Sequence, residues 1–313
     1  RNQEAEPLLR RVLEGREATL GSKHLGTLDS LSELAQLLRE LGKHQEAEPL
    51  LARALAGRED LLGFMHPDTV DSRSLLVVTL KANAKWEQGE LILRRALQLA
   101  EPKLGASHPE VLALLSALPS LLKAAGKHGE AEEVQRRALR GYEETLGPKD
   151  PRTLKARNNL GSLLRESGNL TEAQELLQRV LADCDASLPK ADPVRLEVLN
   201  NLAAVLELIG KPEEAEPLHR GALQAYEEKL GPQHPSTLTS LNNLGVLLQA
   251  IGKHDEAEPL LRCALERKEA TLGLLHAATL TSLNNLASLL RVMGKCQAAE
   301  PLQRRALEGR EAT

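Results

Sequence analysis

Aromatic residues are almost absent from this sequence, whose 313 residues include one Phe, one Trp and two Tyr. A sheet core draws on aromatic and β-branched side chains, so this scarcity beside abundant Leu and Ala favours close-packed helices. The chain also lacks an uncharged apolar run long enough to cross a bilayer, which excludes a membrane-spanning helix. The sequence therefore predicts an all-α protein without a membrane span.

Cysteine and excess charge are also scarce. Cys184, Cys263 and Cys296 are an odd number with no CxxC spacing, which argues against a disulfide framework and against a zinc knuckle. The net charge of -4 combines both signs, which gives no reason to expect nucleic acid or an anionic membrane as a partner. The first twenty residues are charged throughout and lack the apolar segment of a signal peptide. We therefore expect a cytoplasmic protein.

One period of 42 residues organises the whole chain without an insertion, which is typical of a repeat architecture. A leucine column on this spacing consists of Leu34, Leu76, Leu118, Leu160, Leu202, Leu244 and Leu286. A glycine column is interrupted only by Ala84 and consists of Gly42, Gly126, Gly168, Gly210, Gly252 and Gly294. The predicted units are a leading half repeat (1–21) and seven repeats (22–63, 64–105, 106–147, 148–189, 190–231, 232–273 and 274–313). We expect one solenoid over residues 1–313, and a segment of a longer protein because neither end has a polar capping helix.

Each unit is predicted to be a helical hairpin. Apolar residues at Leu28, Leu31 and Leu38 follow the stripe of an amphipathic first helix, here termed helix A, and a second stripe beginning at Ala47 marks helix B. A His or Asp before each helix A fits an N-cap, and the glycine that follows most of the helices fits a left-handed C-terminal residue. A lone hairpin cannot bury both stripes, so neighbouring hairpins must stack.

The spacing of Leu34, Ala35, Leu38, Gly42, Ala47, Leu51 and Ala54 resembles the tetratricopeptide pattern. The segment HPSTLTSLNNLGVLLQAIGKHDEAEPLLRCALERKEATLG (residues 234–273) is similar to the repeats of kinesin light chain and nephrocystin-3. The resemblance implies a right-handed α-solenoid of stacked helical hairpins that holds other proteins, with the helix A faces lining a concave groove. Relatives that grip chaperone tails carry a basic clamp on helix A, but Asp29, Asp71 and Glu197 stand there in this chain and would repel a carboxylate.

Several patterns suggest other functions and are better explained structurally. The Gly-Lys pairs, such as Gly42-Lys43, lack the other glycine and the Ser or Thr of a phosphate loop. The histidine column that includes His24 and His66 is spread along the solenoid, so we expect helix caps and no metal site. The acidic column that begins at Glu17 predicts a helix B surface or a set of ion pairs. With no catalytic motif present, we expect no enzyme, no cofactor and no small-molecule substrate.

One polar column on helix A is a candidate peptide-binding site. An amide presents a donor and an acceptor to an extended backbone, and a neighbouring cation adds preference for acidic residues. The candidate residues are Asn158, Arg165, Asn200, Asn242, Gln249, Asn284 and Arg291. The competing interpretation is that these asparagines are merely solvated or bond between repeats. A second column, Asn159, Asn201, Asn243 and Asn285, is predicted to be structural.

These features favour an adaptor that captures an extended, acidic segment of a partner protein in the groove. The first alternative is a structural spacer in a larger assembly that uses its convex or edge surfaces. The second is the regulatory arm of an enzyme whose catalytic domain lies outside the sequence.

Overall fold

Fifteen α-helices make up almost all of residues 2–311, the part of the chain that this computed structural model describes, and no strand occurs in that range. The A helices are α2 (Leu25–Glu40), α4 (Pro67–Ala82), α6 (Pro109–Ala124), α8 (Pro151–Glu166), α10 (Pro193–Ile209), α12 (Pro235–Ala250) and α14 (Ala277–Val292). The B helices are α1 (Asn2–Leu20), α3 (His44–Leu62), α5 (Trp86–Leu104), α7 (His128–Leu146), α9 (Leu170–Ser187), α11 (Pro212–Leu230), α13 (His254–Leu272) and α15 (Cys296–Glu311). The all-α prediction is confirmed.

The helices form two compact units, with residues 1–145 in unit 1 and residues 146–313 in unit 2. The boundary falls at the last residue of α7. Within each unit, consecutive helices pack against each other as hairpins, for example α2 with α3 in unit 1 and α12 with α13 in unit 2. Stacked hairpins within each unit bury the apolar stripes that a single hairpin could not bury alone.

The N-caps predicted from the histidine and aspartate column are confirmed. His24 Nδ1 accepts a hydrogen bond of 3.1 Å from the backbone N–H of Gly26, and Asp150 Oδ1 accepts one of 2.9 Å from that of Arg152. The same bond recurs at His66, His108, Asp192, His234 and His276. Each cap satisfies a backbone donor that has no partner within the helix, which fixes where helix A begins.

The leucine stripes form the core. Leu28, Leu31 and Leu38 in α2 are at most 1% exposed, and Ala47 and Leu51 in α3 are fully buried. Burial of such side chains contributes roughly 25 cal/mol per Å² of apolar surface removed from water, and it is the main term that holds each hairpin together.

Helix A ends in a left-handed residue at Gly42 and its counterparts, as predicted, with φ of 75° at Gly42. Ala84 occupies this place in the second repeat and still adopts φ of 56°, the one positive φ at a non-glycine among the described residues. A side chain in this conformation costs about 1 kcal/mol relative to glycine.

The lysine after most of these positions links neighbouring B helices. Lys253 Nζ lies 2.8 Å from Glu216 Oε2, and Lys295 Nζ lies 2.6 Å from Glu258 Oε2, each across 37 residues. In unit 1 the same spacing joins Lys43 to Glu6, Lys85 to Glu48 and Lys127 to Glu90. Lys211 instead pairs with Glu214 in the first turn of α11. Four of the five Gly-Lys pairs thus combine a helix end with an ion pair between repeats, which sequence reasoning missed. The acidic column also forms ion pairs, including Glu17 with Arg53 and Glu269 with Arg305.

Candidate functional site

The A helices of unit 2 change in character toward the end of the chain. Helix α12 contains no charged residue, and α14 contains only Arg291. In the helix α12, Thr239, Asn243 and Val246 are exposed, and Thr281 is exposed on α14, which lies against α12. We call the exposed side of α12 and α14 the helix-A face of unit 2. It is a polar, carboxylate-free surface with apolar spots at Val246 and Val292.

The four candidate asparagines differ in their exposure to solvent. Asn158 is 2% exposed and Asn242 is 6% exposed, whereas Asn200 and Asn284 are half-buried. The column lies at the edge of the leucine stripe, where the helix of the next repeat covers part of it. Two of the four amides are therefore unavailable to a ligand in this conformation.

Asn158 bonds to the next repeat within unit 2. Its Oδ1 accepts a hydrogen bond of 2.9 Å from Asn201 Nδ2, and its own Nδ2 donates to Glu197 Oε2 at 3.3 Å. A buried amide needs such partners because an unsatisfied polar group costs about 1–3 kcal/mol. This is the inter-repeat bonding that was the competing interpretation of the column, and Asn201 belongs to the asparagine column predicted to be structural.

Asn242 makes a similar bond to the next repeat two hairpins further on. Its Oδ1 accepts hydrogen bonds from Asn285 Nδ2 at 3.2 Å and from Ser282 Oγ at 3.1 Å. Ser282 Oγ in turn accepts a bond of 2.9 Å from Lys268 Nζ. A chain of polar groups therefore runs from helix B through helix A of the next repeat to the candidate asparagine.

The remaining amides behave differently. Asn200 Nδ2 donates to Tyr226 Oη within its own hairpin at 3.5 Å, the outer limit of a hydrogen bond. Gln249 is half-buried and donates from Nε2 to Ser288 Oγ at 3.3 Å. Asn284 is half-buried and has no side-chain hydrogen bond within residues 2–311. These three side chains reach the surface and can exchange their weak or missing bonds for a ligand.

The two candidate arginines lie on different helices. Arg165 lies in the last turn of α8 and is 3.6 Å from Glu166, with a quarter of its side chain exposed. Arg291 lies in the last turn of α14, is exposed, and forms no ion pair with any described residue. Arg291 is therefore the cation that the helix-A face of unit 2 offers to solvent.

Lys268 is a polar residue of this region that sequence reasoning missed. It lies on α13, is 4% exposed, and has Ser282 as its side-chain partner among the described residues. Burial lowers the pKa of Lys268. A sequence pattern could have identified it. Arg16, Arg58 and Lys268 lie in one column of the 42-residue period, and each precedes a serine by 14 residues.

The described part of the chain contains no group of three His, Cys, Asp or Glu side chains placed to hold a metal ion. The three cysteines are free, and burial raises the pKa of the Cys184 thiol to about 11, which keeps it protonated and unreactive at neutral pH. No helix in residues 2–311 combines the length and apolarity that crossing a membrane requires.

The sequence profile of the tetratricopeptide repeat matches residues 1–60, 120–186, 194–270 and 247–312. The chain belongs to the tetratricopeptide repeat family. Tetratricopeptide repeats bind protein or peptide partners and are generally non-catalytic interaction modules, so the fold supports a protein-interaction scaffold. No curated protein sequence matches the chain.

Solved structures place these tetratricopeptide repeats near the kinesin light chain type, as the sequence resemblance implied. A Podosopora anserina protein described as a kinesin light chain with nearly identical TPR-like repeats is 26% identical, with a TM-score of 0.59 over 66% of this chain and 98% of that one. BtubC (BKLC) from P. vanneervenii is 23% identical, with a TM-score of 0.61 over 73% of this chain and 89% of that one. The apo quorum sensor NprR from B. thuringiensis is 13% identical, with a TM-score of 0.65 over 98% and 87%. The last two similarities concern the fold alone.

Proposed function

We propose that this protein is an adaptor whose helix-A face of unit 2 binds an extended, acidic segment of a partner protein. The observation that carries the proposal is the absence of carboxylates from α12 and α14, beside the unpaired, exposed Arg291. A surface without carboxylates does not repel an acidic chain, and an exposed guanidinium attracts it.

The exposed amides give this surface its affinity for a peptide backbone. Asn243 is exposed on α12, and Asn284 has no intramolecular side-chain bond among the described residues. Each amide can donate to and accept from successive peptide groups, for about 0.5–1.5 kcal/mol per bond. Asn200 and Gln249 are half-buried, and their long bonds of 3.5 Å and 3.3 Å can be exchanged for bonds to a ligand.

The other predicted residues take supporting roles in this proposal. Asn158 and Asn242 hold neighbouring A helices in register through Asn201 and Asn285, so they position the surface without touching the ligand. Arg165 adds positive charge at the end of α8, weakened by its contact with Glu166. Val246, which is 39% exposed, offers a small apolar contact.

A peptide array of extended sequences that vary in charge tests the proposal with the full chain as the probe. We expect acidic peptides to bind in preference to neutral and basic ones. Arg291→Glu should weaken that binding about tenfold, a change of about 1.4 kcal/mol. The control is Arg304→Glu on α15, which makes the same charge change at an exposed helix B position.

Equal weakening by both variants would show that net charge alone controls binding. Preference for basic or neutral peptides would overturn the acidic specificity. Absence of binding to any peptide would favour the spacer, which uses other surfaces of the repeats.

A further inference from the structure

Arg58, a buried cation of unit 1, provides a reference for Lys268. Arg58 on α3 is 7% exposed, and its guanidinium donates to Ser72 Oγ at 2.5 Å on the next A helix. Its other terminal nitrogen, Nη2, lies 2.6 Å from Asp29 Oδ1 on the A helix of the same hairpin. The Asp29 side chain is 53% exposed, so its carboxylate neutralises the buried cation from the protein surface.

Lys268 occupies the same place in unit 2, five periods along the chain, and has lost that counter-ion. Its Nζ donates to Ser282 Oγ, the counterpart of Ser72, at 2.9 Å. The counterpart of Asp29 is Thr239, which is exposed and donates its hydroxyl to Pro235 O on its own helix at 2.9 Å. Among the described residues, Lys268 therefore retains its serine contact and lacks its carboxylate.

Within the described residues, Lys268 forms no ion pair. The helices that pack most extensively against α13 are α12, which has no charged residue, and α14, which has only Arg291. The ion pairs that reach α13 from α11 and α15 involve Glu256, Arg267 and Glu269 and leave Lys268 out. Glu266, on α13 itself, is exposed. An ammonium has three N–H donors, and Ser282 accepts one of them. A buried charge left in this state is destabilising.

We propose that Lys268 is a carboxylate-binding subsite. An acidic side chain of the bound peptide lies beside Thr239 and contacts Lys268, as the Asp29 carboxylate contacts Arg58 in unit 1. The geometry of Arg58 and Asp29 shows that a carboxylate half in solvent can reach a buried cation at this position. The proposal rests on the proposed function and specifies one contact of the same surface. The peptide carboxylate supplies the counter-ion that the folded chain lacks, so the contact forms only with the ligand bound.

A short poly-glutamate peptide, with poly-glutamine as its neutral counterpart, is the probe for calorimetric titration of the full chain. Lys268→Gln retains a donor for Ser282 and removes the charge, and it should weaken poly-glutamate binding tenfold or more. The control is Lys253→Gln, which removes an exposed lysine at the start of α13. Its effect should be at most about threefold, as for a screened surface charge.

A second variant tests the subsite without changing Lys268. Thr239→Asp restores the internal counter-ion, so it should raise the thermal midpoint of unfolding and weaken poly-glutamate binding tenfold or more. The matched control is Thr281→Asp, since Thr281 is also exposed and donates to the backbone four residues earlier at 2.9 Å. Its unit 1 counterpart, Asp71, forms no ion pair with Arg58, so Thr281→Asp should not raise the midpoint.

The outcomes separate the two proposals. If Lys268→Gln and Thr239→Asp both bind poly-glutamate with the affinity of the wild type, the subsite is overturned and the acidic-peptide proposal stays in place. Equal effects of Thr239→Asp and Thr281→Asp would also overturn the subsite, because general repulsion would explain both. Absence of wild-type binding to poly-glutamate would overturn the proposed acidic specificity and the subsite with it.

Discussion

The hairpin α4–α5 in unit 1 and the hairpin α12–α13 in unit 2 follow the same 42-residue pattern but differ in how closely their helices pack. In α12, Gly245 lies so near α13 that an added Cβ would come within 2.7 Å of Leu261. Val77 takes that position in α4, opposite Leu93. The branched side chain of Val77 holds α4 and α5 apart, because glycine has only a hydrogen at this position in α12. Val77 and Leu93 line a cleft of about 170 Å³. Close approach of helix A to helix B therefore depends on a small residue at this position.

The two hairpins differ again in the leucine stripe. Leu241 is 3% exposed in α12, whereas Arg73 takes its place in α4 at 2% exposure. Arg73 donates to Phe64 O at 2.5 Å, lies 4.0 Å from Glu59 and 3.9 Å from Glu110, and leaves Nη1 without a hydrogen-bond partner. Burial lowers the pKa of Arg73. The family profile omits residues 61–119, which contain this hairpin.

Placing leucine at position 73 should change the relative stability of the two hairpins most. Arg73→Leu replaces a desolvated, incompletely bonded cation by an apolar side chain, so we expect stabilisation of up to about 4 kcal/mol. Hydrogen exchange of the α4 and α5 amides measures it, because local opening reports the stability of that hairpin. The wild-type hairpin should exchange faster than α12–α13, and Arg73→Leu should slow it. Slower exchange of wild-type α4–α5 than of α12–α13 would contradict the comparison.

Introducing the looser packing into unit 2 should have the next largest effect. Gly245→Val forces a branched side chain against Leu261, so it should destabilise α12–α13 by about 1–3 kcal/mol, the usual cost of overpacking. Hydrogen exchange at α12 and α13 is the measurement. Gly221→Val on α11 is the control, since nothing lies within 4 Å of a Cβ there. Equal losses from both variants would rule out the contact with Leu261 as the cause, because valine has a higher helix propensity than glycine.

The helix ends offer a smaller, reciprocal test. Ala84→Gly removes a side chain from a left-handed residue, so it should stabilise α4–α5 by about 1 kcal/mol. Gly252→Ala, at φ of 79°, should cost unit 2 a similar amount. Denaturant midpoints of both variants measure the pair. Effects of the same sign would contradict the assignment of backbone strain.

The ion pair at Glu258 should have the smallest effect. Lys295 and Arg262 lower the pKa of Glu258 from its ordinary value of 4.5, so its contribution is complete above that value and is lost as the pH falls through the folded-state pKa. Glu258→Gln should therefore cost about 0.5 kcal/mol at neutral pH and nothing in strong acid. Glu266→Gln, at an exposed position on the same helix, is the control. A pH-independent loss would assign the effect to packing.

Much of the fold was predictable because its signals recur at a fixed spacing. The leucine stripes, the caps at His24 and Asp150, and the left-handed residue at Gly42 each depend on local chemistry repeated every 42 residues. The candidate site was only partly predictable. Asn242 has almost the same sequence neighbours as the half-buried Asn284, and the burial of Asn158 and Asn242 depends on the next repeat. The unpaired charge of Lys268 becomes visible only when the column of Arg58 and Lys268 on helix B is compared with the column of Asp29 and Thr239 on helix A.

The ion pairs across 37 residues make the number of repeats adjustable in evolution. Each described pair joins a repeat to its immediate successor, so a recombination event that removes residues 232–273 would bring Lys295 opposite Glu216 and Asn285 opposite Asn200. The junction would again consist of complementary partners, and insertion of a whole repeat would do the same. The copy number can therefore drift while the joints remain intact. Such a deletion would remove Lys268 and Thr239 together. The number of repeats can therefore change without loss of the joints, but no other repeat replaces this pair.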